Sequence, residues 1–509
     1  MLNLFIKKGW LNVWGFSVFI VLLLFAIYFG GGGCATAAEQ NTTTTTSAVT
    51  TTTAANHETS QKDVSVGTGG TINFSDGTTV SFPAGAVTSD TIVTVNKLSS
   101  SCLPDQVLSA VYVSTIESLA IPATVTLRYD PSRVRSDQEI MVGVVGGANS
   151  QEAVSSSEVS VAAIVSPESI DTSTGTITVK TNHFSFVWAF FQEKAYLVFD
   201  FGASYDYKYL KPGDIIFALT GARGSDRGFY YDGSWTPGHV GMYLGTIEGY
   251  GIKHLIESTV AKDIGGSNGV QYGRSDYFKV LGHIYLGARR PKGVTLTDTL
   301  RASIVSNAKA KLGWPYFYLN FDSFGVPLAS GVLAGPKTGI TCVALVENSY
   351  NEAGVYNVSA LRQYLFFPID LFTKTEPVKD ITVKVNDLVK FYVYGVTRNN
   401  YGTYSKWRTY LDQESFYNLS VSCPSLTITS YDRYPTNDDP DAATKLFGTR
   451  PVFFKKAVDA YGYTHGDNYP FFKWIPSSSE VGTYPITFTL DAGTNGTKQE
   501  TMTITVIPK

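Results

Sequence analysis

Gly238-His239-Val240-Gly241-Met242-Tyr243-Leu244-Gly245 is the stretch from which this chain is best read. Successive side chains of an extended strand point to opposite faces, so Val240, Met242 and Leu244 share an apolar face. His239, Gly241 and Tyr243 share the other. A histidine opposite a clean apolar face, with a glycine beside it leaving room, is placed for a site. The next strand is Lys253-His254-Leu255-Ile256-Glu257-Ser258. A hairpin centred on Glu248 sets His239 and Glu257 equally far from the turn and makes them a directly opposed cross-strand pair. The pairing depends on register, because a slip of one residue sends the two side chains to opposite faces.

Outward from this hairpin the pattern stays informative. Upstream, the turn Lys211-Pro212-Gly213-Asp214 leads into a short buried strand, Ile215-Ile216-Phe217-Ala218. Downstream, Leu300, Ile304, Ala308 and Leu312 recur every four residues, with Thr297 as a cap and Gly313 as a stop, which predicts a helix. Trp314-Pro315-Tyr316 then leads through an aromatic loop to Gly339-Ile340-Thr341-Cys342-Val343-Ala344-Leu345-Val346. There Cys342, Val346 and Tyr350 share helical spacing, Thr341 is placed to cap and Gly354 to stop. Cys342 thus falls in the first turn of a helix, where free amides and the positive dipole end favour the thiolate, the nucleophilic form. His254 and His283 lack such surroundings and are read as structural.

Together these pieces resemble the permuted NlpC/P60 group of papain-like hydrolases, the YiiX/YaeF-like amidases. In that family a Pro-Gly-Asp-type turn opens the domain and a His-x-Gly-x-Tyr strand supplies the base. A strand ending in Ile-Glu supplies the orienter, and a late helix beginning with cysteine supplies the nucleophile. The resemblance implies His239 as base, Glu257 as orienter and Cys342 as nucleophile, with Gly313-Trp314-Pro315-Tyr316 matching the approach to the cysteine helix. Val343 and Ala344 stand where family members commonly carry Ser and Glu. The implied fold is a central α+β papain-like domain over residues 194–372. The implied chemistry is acyl transfer through a thioester, with an oxyanion held by the Cys342 amide and no metal or cofactor.

Both flanks read as β-sandwiches. In residues 63–193, short alternating runs such as Thr91-Ile92-Val93-Thr94-Val95 are separated by turn residues. Gly69-Gly70-Thr71, Phe82-Pro83-Ala84-Gly85-Ala86 and Thr181-Asn182-His183-Phe184-Ser185 resemble the ZU5-like modules of bacterial surface proteins, and His183 is read as structural. Residues 373–509 open with Ile381-Thr382-Val383-Lys384-Val385 and close with Met502-Thr503-Ile504-Thr505-Val506, both of period two. Val481-Gly482-Thr483-Tyr484 before Ile486-Thr487-Phe488-Thr489-Leu490 resembles the late strands of bacterial immunoglobulin-like repeats. Asn437-Asp438-Asp439-Pro440-Asp441 fits no EF-hand spacing and is read as a solvated acidic turn, with calcium as the alternative. Cys102 and Cys423, one in each region, are read as buried thiols rather than a disulfide.

At the N-terminus, Lys7 and Lys8 precede an apolar stretch from Phe16 to Phe29, then Gly30 to Gly33 and Cys34. Basic, apolar and small-residue regions in that order describe an export signal. A cysteine so placed resembles the bacterial lipobox, which implies lipidation of Cys34, a signal over residues 1–34 and a membrane-anchored lipoprotein at the cell envelope or surface. An uncleaved anchor is the alternative, since the run nearly reaches the roughly 20 residues that span a bilayer. Residues 35–62, rich in Thr, Ser, Ala and Asn, are expected to be an unstructured tether.

Composition sets the outer limits. At roughly 150 residues per domain, 509 residues suggest about three domains. Forty basic against 43 acidic side chains, net −3, leave no electrostatic case for nucleic acid. Four cysteines exclude a disulfide scaffold and a cysteine-ligated zinc ribbon. The expectation is an exported cysteine amidase or peptidase, acting on cell-wall peptide or another amide through Cys342, His239 and Glu257. The alternatives are an enzyme acting on lipid acyl groups, with a cleft lined by Trp314, Tyr316, Phe317 and Tyr318, or an inert adhesin or scaffold.

Overall fold

Six strands make the sheet that carries the candidate residues: β1 (Ile215–Thr220), β2 (Pro237–Tyr243), β3 (Lys253–Thr259), β4 (Gly269–Arg274), β5 (His283–Pro291) and β6 (Thr375–Pro377). Their spatial order is β4-β3-β2-β1-β5-β6, and every neighbouring pair is antiparallel. Ile215, Ile216, Phe217 and Ala218 are all fully buried, as a central strand covered on both faces requires. This computed structural model describes residues 50–54, 57–100, 103, 105–113, 118–145, 162–165, 167–183, 186–201, 209–220, 237–251, 253–259, 269–274, 283–316, 320–321, 327–328, 339–358, 368–397, 419–431, 448–454 and 471–509. Cys34, Cys102, Phe317, Tyr318 and the acidic turn at Asn437–Asp441 lie outside them.

Three α-helices occur among the described residues: α1 (Asp298–Lys309), α2 (Cys342–Glu352) and α3 (Pro368–Thr373). Thr297 caps α1 by accepting from the Leu300 amide at 3.2 Å, and Thr341 caps α2 by accepting from the Ala344 amide at 3.1 Å. Beyond them Gly313 and Gly354 take φ of 82° and 83°, the left-handed conformation that halts a helical chain. Leu312 is exposed, so the buried face of α1 is made by Arg301, Ile304 and Ala308 instead of the expected leucine row.

Arg301 is buried because it reaches the Pro212-Gly213-Asp214 turn. The fully buried Asp214 carboxylate accepts from Arg301 Nη1 at 2.7 Å, from Arg290 Nε and Nη2 at 2.8 and 2.9 Å, and from the Lys211 amide at 2.9 Å. Arg301 Nη1 also donates to the Pro212 carbonyl at 2.9 Å, and the Tyr350 hydroxyl donates to the Gly213 carbonyl. One turn therefore ties together β1, β5, α1 and α2.

The expected α+β papain-like centre is not what forms. The described chain is mostly β-strand in several small sheets, with only those three helices. The motifs behind the expectation fix local positions of single residues and leave the fold class open. Among the described residues of this region, α1 and α2 are the longer helices and the strands form one antiparallel sheet.

Around this sheet lie two further pairs of sheets. Nearer the N-terminus, a seven-stranded sheet ordered 50–54, 57–64, 91–98, 107–113, 186–193, 138–145, 162–165 faces a five-stranded one ordered 169–171, 176–183, 118–128, 79–82, 70–73. Val64, Val80, Val95, Val111, Val125 and Val187 are among the buried residues between them. The Thr-rich stretch, expected to be an unstructured tether to residue 62, enters this sheet at its end: Thr50–Ala54 pairs with residues 57–61, and His57–Val64 pairs with Thr91–Leu98 in full register. Threonine is β-branched and suits a pleated strand once a partner edge exists, so its polarity does not keep it out.

Toward the C-terminus, a five-stranded sheet ordered 195–200, 389–397, 471–474, 452–454, 429–431 packs on a four-stranded one ordered 380–384, 497–507, 482–491, 419–422. Phe488 lies at their junction, its ring 5.3 Å from Phe199 and 5.9 Å from both Phe391 and Phe453. One hydrophobic core runs without a break from this pair of sheets into the central one, through Tyr196, Phe217 and Phe372. No helix among the described residues is long and apolar enough to cross a membrane.

Candidate functional site

The sheet brings His239 and Glu257 together, though not in the expected register. Met242 lies opposite Ile256 and Tyr243 opposite Leu255, so the hairpin is centred on Gly249 and not on Glu248. Continuing that register puts Gly241 opposite Glu257 and leaves His239 on the diagonal. Glycines cause the difference: Gly245, Gly249 and Gly251 take φ of 80°, 79° and 56°, which lets the connection between the strands turn more loosely. Because the shift amounts to two residues, His239 and Glu257 keep the same face. A glutamate is long enough to span the diagonal. His239 Nε2 and Glu257 Oε2 are 2.6 Å apart.

Cys342 arrives from the other side. It is the first residue of α2, which packs against β2 and β3, and its side chain is hydrogen-bonded to His239. The amides of Cys342 and Val343 have no acceptor within the helix, while the Ala344 amide is taken by the Thr341 cap. That leaves two donors beside the sulfur on the helix's positive end.

Ser258 helps set this position, and the sequence reading missed it. Its fully buried hydroxyl donates to the Ile340 carbonyl at 2.6 Å, two residues ahead of Cys342. The Ile340 amide donates to the Pro315 carbonyl at 2.9 Å. The Val270 amide on β4 donates to the Trp314 carbonyl at 2.8 Å, and the Gly313 amide donates to the Val270 carbonyl at 2.9 Å. The strand that carries the carboxylate thus also anchors the approach to the cysteine. A buried serine next to the glutamate was the available signal, but its partner lies 82 positions away and no local pattern reveals it.

Electrostatics favour the imidazolium. Burial alone would lower the His239 pKa, but hydrogen bonds and charge interactions with Cys342 and Glu257 outweigh it and push the value up to about 10. Glu257 is fully buried, and its Oε1 has no hydrogen-bond partner among the described residues. His254 is buried with its carbonyl holding the Leu244 amide at 2.8 Å, while the His283 side chain lies outside the described residues. Cys423 is buried beside the Ser425 hydroxyl at 3.4 Å. Trp314 and Tyr316 are half-buried. Among the described residues, no group of three or more His, Cys, Asp or Glu is arranged to hold a metal.

Such an arrangement can set a cysteine sulfur beside an imidazolium and offer backbone donors to a developing oxyanion. No protein-family model matches the chain, and no curated protein matches it in sequence.

Proposed function

We propose that this chain is a cysteine hydrolase that cleaves an amide through Cys342, His239 and Glu257. The observation that carries the reading is the bonding of one buried imidazole to both partners, Glu257 at 2.6 Å and the Cys342 side chain. Neither contact has an obvious structural purpose at this position, since apolar residues would fill the space without burying charge.

In this mechanism the Cys342 sulfur attacks the substrate carbonyl and forms a tetrahedral oxyanion. The oxyanion collects the free amides at the start of α2. His239, held as imidazolium by Glu257, gives its proton to the leaving amine, and a thioester on Cys342 remains. The neutral imidazole then takes a proton from water, whose oxygen attacks the thioester carbonyl. The acid leaves, and the thiolate returns beside the imidazolium. The order of histidine, carboxylate and cysteine along the chain, and its likeness to the permuted amidases, support an amide as the bond cleaved and cell-wall peptide as the substrate class.

The test is product analysis of purified protein with cell-wall fragments and with lipid extracts, by mass spectrometry, beside the Cys342→Ala variant. New amines and acids that depend on Cys342 are expected from the peptide material. Release or transfer of fatty acyl groups instead would replace the amide assignment, and no Cys342-dependent product from either would remove the enzymatic reading.

A further inference from the structure

Gly273 lies on β4, the edge strand beside the one that carries Glu257. In the observed register Gln271 is directly opposite Glu257 and Gly273 opposite Leu255, so Gly273 is on the diagonal of Glu257, on the same face. Its φ is outside the left-handed region, so its backbone is one that any residue adopts. Conformation therefore does not explain the glycine. Space does. A Cβ built at 273 falls 2.1 Å from Glu257 Oε1, 2.7 Å from Cδ and 3.1 Å from Cγ. Three consecutive atoms of one side chain fill the place where any other residue begins.

Such an overlap would be cheap if the carboxylate were free to swing away. It is not. Glu257 is fully buried, and its other oxygen is engaged with His239 at 2.6 Å. Relieving the contact at Oε1 means rotating the carboxylate, and rotation takes Oε2 off the imidazole.

We propose that Gly273 is a positioning residue of the Cys342–His239–Glu257 site, a notch in the edge strand that lets the Glu257 carboxylate lie flat against β4 and point its outer oxygen at His239. The inference rests on the functional reading above and goes further by naming what aims the orienter. It also accounts for a glycine in the interior of a strand, where the residue otherwise weakens the structure.

Gly273→Ala, Glu257→Ala and the double variant, each in the full chain, test it. The readout is the titration of the His239 imidazole in the folded chain, followed by NMR, with iodoacetamide alkylation of Cys342 mapped against Cys423 in the wild type as the check on the functional reading. Losing the aimed carboxylate lets the imidazole lose its proton at lower pH. Gly273→Ala is expected to lower the His239 midpoint by about one pH unit, roughly a tenfold change in its proton equilibrium. In the Glu257→Ala background the same change should have no further effect, because the atoms it collides with are gone. Thermal melting should follow the same pattern, a loss in the Gly273→Ala chain and none added in the double variant. Should Gly273→Ala fail to fold, a folded double variant still supports the notch.

An unchanged His239 midpoint in a folded Gly273→Ala, with the midpoint lowered in Glu257→Ala, overturns the role of Gly273 and leaves the triad standing. An equal loss on both backgrounds, or a double variant that does not fold, overturns it too, since the glycine would then be serving something other than Glu257. If wild-type Cys342 reacts no faster than Cys423, the functional reading falls and takes this inference with it.

Discussion

At the scale of single residues, the contact between His239 and Glu257 sets the chemistry. Replacing Glu257 with Gln keeps shape and a hydrogen bond but removes the charge that balances the imidazolium. The expected result is a fall in kcat of about 10²-fold or more with KM little changed, measured on whichever amide substrate the product analysis identifies. The pair should also show in stability. His239 has a folded-state pKa raised to about 10 from an ordinary value of 6.5, so the stabilisation is complete below about pH 6.5 and is lost as pH rises through about 10. The difference in melting temperature between wild type and Glu257→Gln should shrink across that window; a constant difference would dissociate Glu257 from the histidine's titration. At this scale the sequence was legible where chemistry is local. Thr341 as cap, Cys342 as first helical residue and the shared face of His239 and Glu257 all follow from spacing. Ser258 and Gly273 do not, because a serine that holds a carbonyl far along the chain and a glycine that leaves space look, in sequence, like any strand residue.

At the scale of elements, the hairpin shows how a wrong register still gives a right face. The period of two protects same-face pairing against shifts of two residues, so the glycine-rich connection moved His239 from directly opposite Glu257 to the diagonal without separating them. No such protection covers fold class. A motif such as Pro212-Gly213-Asp214 marks a turn in sequence, but only the assembled protein shows Asp214 receiving both Arg290 and Arg301. This turn supplies the element-scale prediction. Asp214→Asn removes the charge that two buried or half-buried guanidinium groups face, and breaking a buried ion cluster on one side typically costs about 3–5 kcal/mol. Chemical denaturation should show that loss. Because the same turn holds α2 through Tyr350, the variant's Cys342 should also become more slowly alkylated at neutral pH while the chain is still folded. A loss below about 1 kcal/mol would mean that solvent reaches the cluster and that the turn does not tie the elements together.

At the scale of the whole molecule, the continuous core decides what behaves as a unit. The strand Ala195–Asp200 precedes the central sheet in sequence but pairs with Val389–Thr397, and the Tyr394 hydroxyl donates to the Tyr285 carbonyl on β5 at 3.0 Å. Apolar residues from Ala195 to Val506 belong to one cluster, so the sheet that bears the site and the C-terminal pair of sheets bury surface against each other. Large shared burial makes unfolding cooperative across the boundary that sequence composition suggests. Phe488 tests this, because its ring touches Phe199, Phe391, Phe453 and Phe472 and lies far along the chain from Cys342. Phe488→Ala should cost about 3–5 kcal/mol. Two segments report on the two parts: α2 on the site and the strand 419–422 on the C-terminal sheets. Followed by amide hydrogen exchange against denaturant, both should open at one midpoint in the wild type, and Phe488→Ala should lower that midpoint equally at each. If the variant opens 419–422 early and leaves the α2 transition where it was, the core is two cores in contact, and the site would fold without the strands that follow it.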